Sequence, residues 1–169
     1  ITNKPVLYIC NVDESSAVVG NSYVDQIKMV IEEENTEFII LAVAIEADIN
    51  ELDTYEERQV FLSDIGLSEP GSSKMIRKAY NLLNLQTYFT AGVKEVRAWT
   101  ILKGMSAPQA AGVIHTDFEK GFIKAEVISY SNYIKFGSES KAREVGKLKI
   151  EGKDYIVNDG DIMHFRFNI

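Results

Sequence analysis

Apolar residues run unbroken over positions 5–10 and again over 38–45, and a polar stretch follows each run. Short continuous apolar runs of this kind predict strands at 5–10 and 38–43 that are buried on both faces, as in a parallel sheet. Between them Val24, Ile27, Val30 and Ile31 fall near one face of a helix that Asn21 or Ser22 can cap. Glu32, Glu33 and Glu34 close that helix against its own dipole. Strand, helix, strand makes a parallel crossover, and so an α/β unit. Thr54 and Glu57 have the spacing of a capping box, and the helix they begin is stopped by Gly66. Pro70, Gly71, Ser72 and Ser73 then restart the chain into a helix carrying Met75, Ile76, Ala79, Tyr80 and Leu83.

Around Leu85 the period changes from helix to alternation. Val96, Ala98 and Thr100 lie on one face of a predicted strand, with Arg97, Trp99 and Ile101 on the other. Ser106 and Gln109 form a second capping box with Pro108 in the first turn, and this helix runs to about Phe118 with a stop near Gly121. Strands follow at 122–129 and 147–150. Residues 155–157 are expected to pair with 162–167 in a hairpin across Asn158, Asp159, Gly160 and Asp161. One helix among several strands in under ninety residues predicts an α+β unit of β-grasp type.

Composition sharpens this division. A chain of 169 residues, 46% hydrophobic, can fill one ordinary domain or two small ones. Its longest apolar run, eight residues, is far below the roughly 20 needed to span a bilayer, so no membrane segment is expected. Residues 1–84 hold 6 Lys+Arg against 15 Asp+Glu, a balance of −9, while residues 85–169 hold 12 against 10, a balance of +2. The second part is therefore the one suited to an anionic polymer. The opening Ile1-Thr2-Asn3-Lys4-Pro5 has no initiator Met and no signal-like stretch, which reads as a cut within a longer cytoplasmic protein. Cys10, the single cysteine, cannot form an internal disulfide and reads as a buried thiol without a redox role.

Candidate chemistry gathers after the two apolar runs. Asn11, Val12, Asp13 and Glu14 stand at the carboxyl end of the first strand, the edge where open α/β sheets bind ligands. Spacing alone marks a plain polar turn more often than a nucleotide loop. Glu46, behind Ala42 and Val43, reads as a carboxylate in the first turn of a helix. No Gly-x-x-x-x-Gly-Lys-Ser/Thr occurs, so a phosphate cradle and its magnesium hydroxyl are absent from the sequence. His115 and His164 are distant in sequence and read as structural or surface histidines, with no metal site expected. Trp99, Phe118, Phe122, Tyr155, Phe165 and Phe167 read mostly as core. Lys147 and Lys149 should share a strand face while Leu148 and Ile150 turn inward, with Arg143 and Lys153 close by. This basic group is either an edge strand guarded by lysines or a contact for RNA.

The stretches 85–100, 107–122 and 152–168, together with the Asn-x-x-Glu loop, resemble the YchF/Obg-like ATPases, a P-loop NTPase family of the Obg type with a TGS domain. The resemblance implies a partial P-loop NTPase G domain over 1–84 and a ubiquitin-like β-grasp TGS domain over 85–169, an α/β followed by an α+β architecture. It implies that Asn11, Val12 and Glu14 form the base-recognition loop and that Ala42 and Val43 occupy the second base-contacting loop. In related G domains the first loop is Asn-Lys-x-Asp, whose Asp accepts from the N–H edge of guanine; here Glu14 and Val12 stand in place of the Asp and Lys. Asn11 can donate and accept at once, the pairing by which Asn reads adenine N7 and N6. ATP should therefore be preferred to GTP. Phosphate loop, switch regions and magnesium site would lie ahead of Ile1, so the chain alone should bind no nucleotide and be inactive. The resemblance further implies a redox- or translation-linked ATPase bound to the ribosome, at its large subunit or ribosomal RNA, through the TGS domain, and not to DNA. The alternative is a stand-alone β-grasp module that contacts RNA or the ribosome without a nucleotide site. A partial G domain should also leave a strand edge and helix faces open to homodimerisation.

Overall fold

The computed structural model describes residues 4–34, 36–92 and 95–168. The chain divides into two compact units, Ile1–Leu83 and Asn84–Ile169. In the first, β1 (Leu7–Asn11) and β2 (Glu37–Leu41) pair in parallel from Leu7↔Glu37 to Asn11↔Leu41. Helix α1 (Ser22–Glu34) makes the crossover that parallel pairing requires. Its start is fixed by Asn21, whose Oδ1 accepts from the N–H groups of Tyr23 and Val24 at 3.1 and 3.2 Å. After β2 come α2 (Val43–Glu51), α3 (Tyr55–Asp64) and α4 (Gly71–Leu82). The predicted capping box at α3 forms in full: Glu57 N–H donates to Thr54 Oγ1 at 3.2 Å, and Thr54 N–H donates to Glu57 Oε2 at 3.0 Å. Gly66, at φ +76°, carries the chain out of the helix through the left-handed region.

The core of this unit joins Ala17, Ala42, Ile45, Ile49 and Leu62. The expectation of strands buried on both faces is corrected for β1, where Cys10 is buried but Tyr8 and Ile9 are 36% and 47% exposed. β2 is its single strand neighbour among the described residues, and so narrow a sheet is covered only in part. The same limit acts on α1. Val24 and Ile31 are buried, while Ile27 and Val30, expected on that face, are exposed.

The second unit is built on a five-stranded sheet of order β4-β3-β7-β5-β6. Its strands are β3 (Leu85–Ala91), β4 (Val96–Leu102), β5 (Phe122–Ser129), β6 (Lys149–Glu151) and β7 (Asp161–Phe167). β7 pairs antiparallel with β5 along its length and parallel with β3 through Phe89↔Ile162. Helix α5 (Ala107–Ile114) lies against this mixed sheet, a β-grasp arrangement. The helix comes close because Ala107, Ala110 and Ala111 face the sheet and are fully buried. Tyr88, fully buried from β3, donates its hydroxyl to the Ala110 carbonyl at 2.9 Å and meets Phe165 edge-on at 5.8 Å. Burial pushes the Tyr88 phenol above its ordinary value, so it remains a donor.

Three expectations give way here. The helix from Ser106 does not run on to Phe118: His115 is extended at φ −159°, ψ 140°, and α6 (Thr116–Lys120) begins anew behind it. His115 Nδ1 accepts from the Asp117 N–H at 3.2 Å, so the ring caps the second helix. Residues 155–157 do not form a hairpin with 162–167. Both edges of β7 are taken by β3 and β5, and Ile156 bridges Ser106 instead. The turn itself exists, held by Asp161 Oδ2 accepting from Asn158 N–H at 2.9 Å and from the Tyr155 hydroxyl at 2.7 Å. With burial and that carboxylate around it, the Tyr155 phenol is pushed up to about 12. Finally, α7 (Tyr130–Phe136) and α8 (Glu139–Glu144) fill a stretch for which the pattern predicted no element.

Two substitutions test these local assignments. Thr54→Ala removes one side of the α3 capping box and should cost about 1 kcal/mol in urea unfolding. Tyr88→Phe keeps the ring but loses the bond to Ala110, also at about 1 kcal/mol.

Candidate functional site

Asn11 ends β1 and Leu41 ends β2, so the loops after both strands leave from one edge of the parallel pair. It is the carboxyl edge, where such sheets place their ligands. Pairing continues one step beyond the strands as Val12 N–H donates to the Leu41 carbonyl at 2.9 Å. Asn11 Oδ1 then accepts from the Val43 N–H at 3.2 Å. A backbone N–H only donates, which fixes the amide oxygen on that side. The Nδ2 donors have no partner among the described residues, and Asn11 is exposed.

The flanking residues take separate roles. Asp13 accepts from Ser15 Oγ at 2.6 Å and Ser16 N–H at 3.0 Å, capping a 3-10 turn over Glu14–Ser16. Those bonds, the Ser15 hydroxyl first, hold its carboxyl below the usual carboxylate range. Glu14 is exposed at the head of that turn, beyond Val12, which is half-buried. Ala42 is buried and precedes α2, and Val43, 52% exposed, begins it. The edge thus brings Asn11 and Val43 into contact across 32 positions of sequence.

Glu46 has a role that its spacing did not reveal. It does lie in the first turn of α2, but its carboxylate accepts from Gly71 N–H at 2.6 Å and Ser72 N–H at 3.0 Å. These are first-turn donors of α4, whose N-cap, Pro70, supplies no side-chain bond. An anion at a helix start is favoured by the dipole as well as by the bonds. Gly71 is buried, and a methyl group there would run into the Leu41 side chain. A helix start without a side-chain cap was the available signal, since its donors need an acceptor from elsewhere.

The basic candidates separate. Arg143, in α8, donates to Glu126 Oε2 and to Glu139 Oε1, each at 3.0 Å, while Arg166 reaches Glu126 Oε1 at 3.6 Å. Burial works to raise the Glu126 carboxyl, but the Arg143 hydrogen bond and the nearby positive charges outweigh it and leave it below its ordinary value. Arg143 is thus engaged in holding α8 to β5. Lys147, Lys149 and Lys153 are exposed, without ion-pair partners among the described residues. The expected strand over 147–150 is corrected: β6 covers Lys149–Glu151, and Ile150 does not turn inward but is 61% exposed. Its pairing opposite Glu126 places it on the sheet face away from α5, whereas Lys149 pairs with Val127 and Glu151 with Ala125. His164 is exposed on β7, also opposite Glu126. Among the described residues no group of three or more His, Cys, Asp or Glu is placed to hold a metal, and no helix is long and apolar enough to cross a membrane.

Residues 85–168 match the family model YchF-GTPase_C, described as a protein of unknown function (DUF933). The whole chain aligns with the ribosome-binding ATPase YchF of Haemophilus ducreyi at 57% identity over 169 residues, covering 46% of that protein. The protein of the same name from Bacillus subtilis is 48% identical over 171 residues, again with 100% of this chain and 46% of the relative covered. The chain therefore spans about half the length of the curated relatives it matches. Among solved structures, the Schizosaccharomyces pombe YchF GTPase superposes with a TM-score of 0.84 at 40% identity, over 98% of this chain and 44% of that one.

The Glu46 clasp is open to direct measurement. Glu46→Ala leaves two helix-start donors without their acceptor, one of them buried, and should cost about 1–3 kcal/mol in chemical denaturation. Gly71→Ala should also destabilise, by about 1–3 kcal/mol, because overpacking against Leu41 exceeds the gain in helix propensity.

Proposed function

The chain belongs to the YchF family, and from that membership we propose that it serves a nucleotide hydrolase that prefers ATP to GTP and works in the cytoplasm on the ribosome. In this reading the first unit is the base-recognition part of a G domain. Asn11 donates through Nδ2 to adenine N7 and takes the N6 amino group on the remaining lone pair of Oδ1. Val12 and Glu14 replace the Lys and Asp that would select guanine, and the Ala42–Val43 backbone closes the other side of the base. Phosphates, magnesium and the hydrolytic groups would be held by sequence that the relatives carry and this chain does not. The observation that carries the reading is the Asn11 to Val43 hydrogen bond, which sets both loops side by side at the ligand edge of the sheet.

The second unit is then a TGS-type β-grasp that docks on the large ribosomal subunit or its RNA. Lys147, Lys149 and Lys153 support this, being exposed charges with no internal partner among the described residues. They equally support the reading of a docking module that needs no nucleotide. Arg143 is the weaker candidate because Glu126 and Glu139 hold it.

Base choice is tested in a full-length YchF relative that carries this chain in place of its matching residues. ATP turnover should exceed GTP turnover, and Val12→Lys with Glu14→Asp should move the ratio toward GTP by about tenfold or more. Strong GTP preference with Asn11, Val12 and Glu14 intact would falsify the adenine reading. Docking is tested by co-sedimentation with ribosomes across a salt series. Binding should fall steeply as salt rises, and replacing Lys147, Lys149 and Lys153 by Glu should weaken it and flatten the slope. Absence of binding at low salt would remove the docking role, while equal binding of chain and chimera, indifferent to nucleotide, would favour the stand-alone module.

A further inference from the structure

Glu46 stands directly behind the Ala42–Val43 loop and is bonded through both its backbone and its side chain. Its N–H donates to the Ala42 carbonyl at 3.2 Å and so closes the first turn of α2 on the loop itself. Its half-buried carboxylate leaves that turn to accept from Gly71 N–H at 2.6 Å and Ser72 N–H at 3.0 Å, the first two amides of α4. One residue therefore fastens the loop to a helix that begins 25 positions further on.

α2 needs such a fastening because it has no cap of its own. Its N-cap, Ala42, has no side-chain bond, and the N–H of its first residue, Val43, is taken by Asn11 Oδ1 at 3.2 Å. A single neutral bond of this kind shifts an equilibrium only about two- to tenfold, whereas bonds to a carboxylate are stronger. The first turn of α4 also meets the loop from its other end. Gly71 is buried so close to the Leu41 side chain that a methyl group would not fit between them, and the Leu41 carbonyl accepts from Val12 N–H at 2.9 Å. The loop between β2 and α2 is thus held against α4 by Leu41 ahead of it and Glu46 behind it.

We propose, on the base-recognition reading of this edge, that Glu46 is a positioning residue for the base: by tying α2 to α4 it fixes the Val43 N–H that orients the Asn11 amide. Glu46 acts through Val43 and Asn11 rather than on the base. Without its carboxylate the start of α2 is free to move, and the Val43 N–H no longer stays on Asn11 Oδ1. The amide then turns freely and has to be ordered when a base binds, which weakens binding. ATP loses most, since adenine is the base that Asn11 fits. The hydrolytic step is unaffected, because the phosphates are held by other parts of the full-length protein.

The test separates positioning from stability. In a full-length YchF relative that carries this chain in place of its matching residues, Glu46→Ala should raise the KM for ATP about three- to tenfold at unchanged kcat. The ratio of kcat/KM for ATP to that for GTP should fall with it. On the intact chain, amide exchange by NMR should show Val43 losing protection about tenfold. Adding Pro70→Asp gives α4 a local cap for the Ser72 and Ser73 amides, so the double variant should regain melting temperature but neither the ATP KM nor the Val43 protection. Glu46→Gln keeps one acceptor oxygen and should fall between parent and Glu46→Ala. Should Glu46→Ala fail to fold, the double variant and Glu46→Gln give the same comparison. An unchanged ATP KM in a folded variant overturns the proposal, as does unchanged Val43 protection. A KM that returns together with the melting temperature in the double variant overturns it too, since Glu46 is then only a helix cap. Should the unmodified chimera prefer GTP, the adenine reading falls instead, and Glu46 is judged by the KM of the preferred nucleotide and by the Val43 amide.

Discussion

The last strand of the chain lies in the middle of its sheet. β7 takes bonds from β5 along one side and meets β3 on the other, so the second unit cannot close until Asp161–Phe167 is in place. Much else in this unit follows from that placement. The segment before β7 must cross the sheet's end rather than pair with it, and it is fastened there. Gln86 Nε2 donates to Val157 O at 2.7 Å, Gly160 N–H to Thr87 O at 2.7 Å, and Thr87 N–H to Asp159 Oδ1 at 2.8 Å. The first of these bonds satisfies buried polar groups whose burial without partners would cost far more than the bond contributes. The pairing around β7 also leaves β4 and β6 as the edges of the sheet among the described residues, one of seven residues, the other of three and flanked by lysines.

In the first unit the corresponding constraint is the set of donors at helix starts. Asn21 serves α1, Thr54 and Glu57 serve α3, and Asp13 serves the 3-10 turn, each within three residues of its target. α2 and α4 have no such local cap: Asn11 serves the Val43 N–H from 32 positions away, and Glu46 serves the Gly71 N–H from 25. The second of these bonds ties α4 to the first turn of α2. A helix start left without a local cap thereby becomes a long-range link between secondary elements.

This contrast explains what could be read from the chain. Both capping boxes, the parallel crossover and the extent of β5 were legible, because each depends on spacing within a few residues or on a plain change of period. The break at His115 was not, since the helical pattern continues through Phe118 while the ring prefers to cap the next turn. The supposed hairpin failed for the opposite reason: its turn chemistry was read correctly, but strand pairing is decided by competition for edges, and β7 had none to spare. α7 and α8 escaped because each is only six or seven residues long, too short for periodicity to stand out. The basic group misled in part, for a strand of three residues cannot hold the alternation assigned to it, and Arg143 answers to buried Glu126 rather than to solvent.

Asn11 shows how far local chemistry reaches toward a site. Its type and its place after a strand suggested a group that both donates and accepts, and the structure adds that one acceptor position already belongs to Val43. The bond removes rotational freedom from the amide and orients its oxygen, so the remaining lone pair and the two Nδ2 protons point from a fixed frame. A flexible Asn would lose that entropy on binding a base; one already held by the neighbouring loop has lost it on folding. The same bond joins the two loops, which means that a change in either one is felt by the other. In the proposed reading, recognition at this edge is a property of the pair of loops, and their proximity follows from parallel pairing of strands separated by a full helical crossover. No single stretch of sequence contains it.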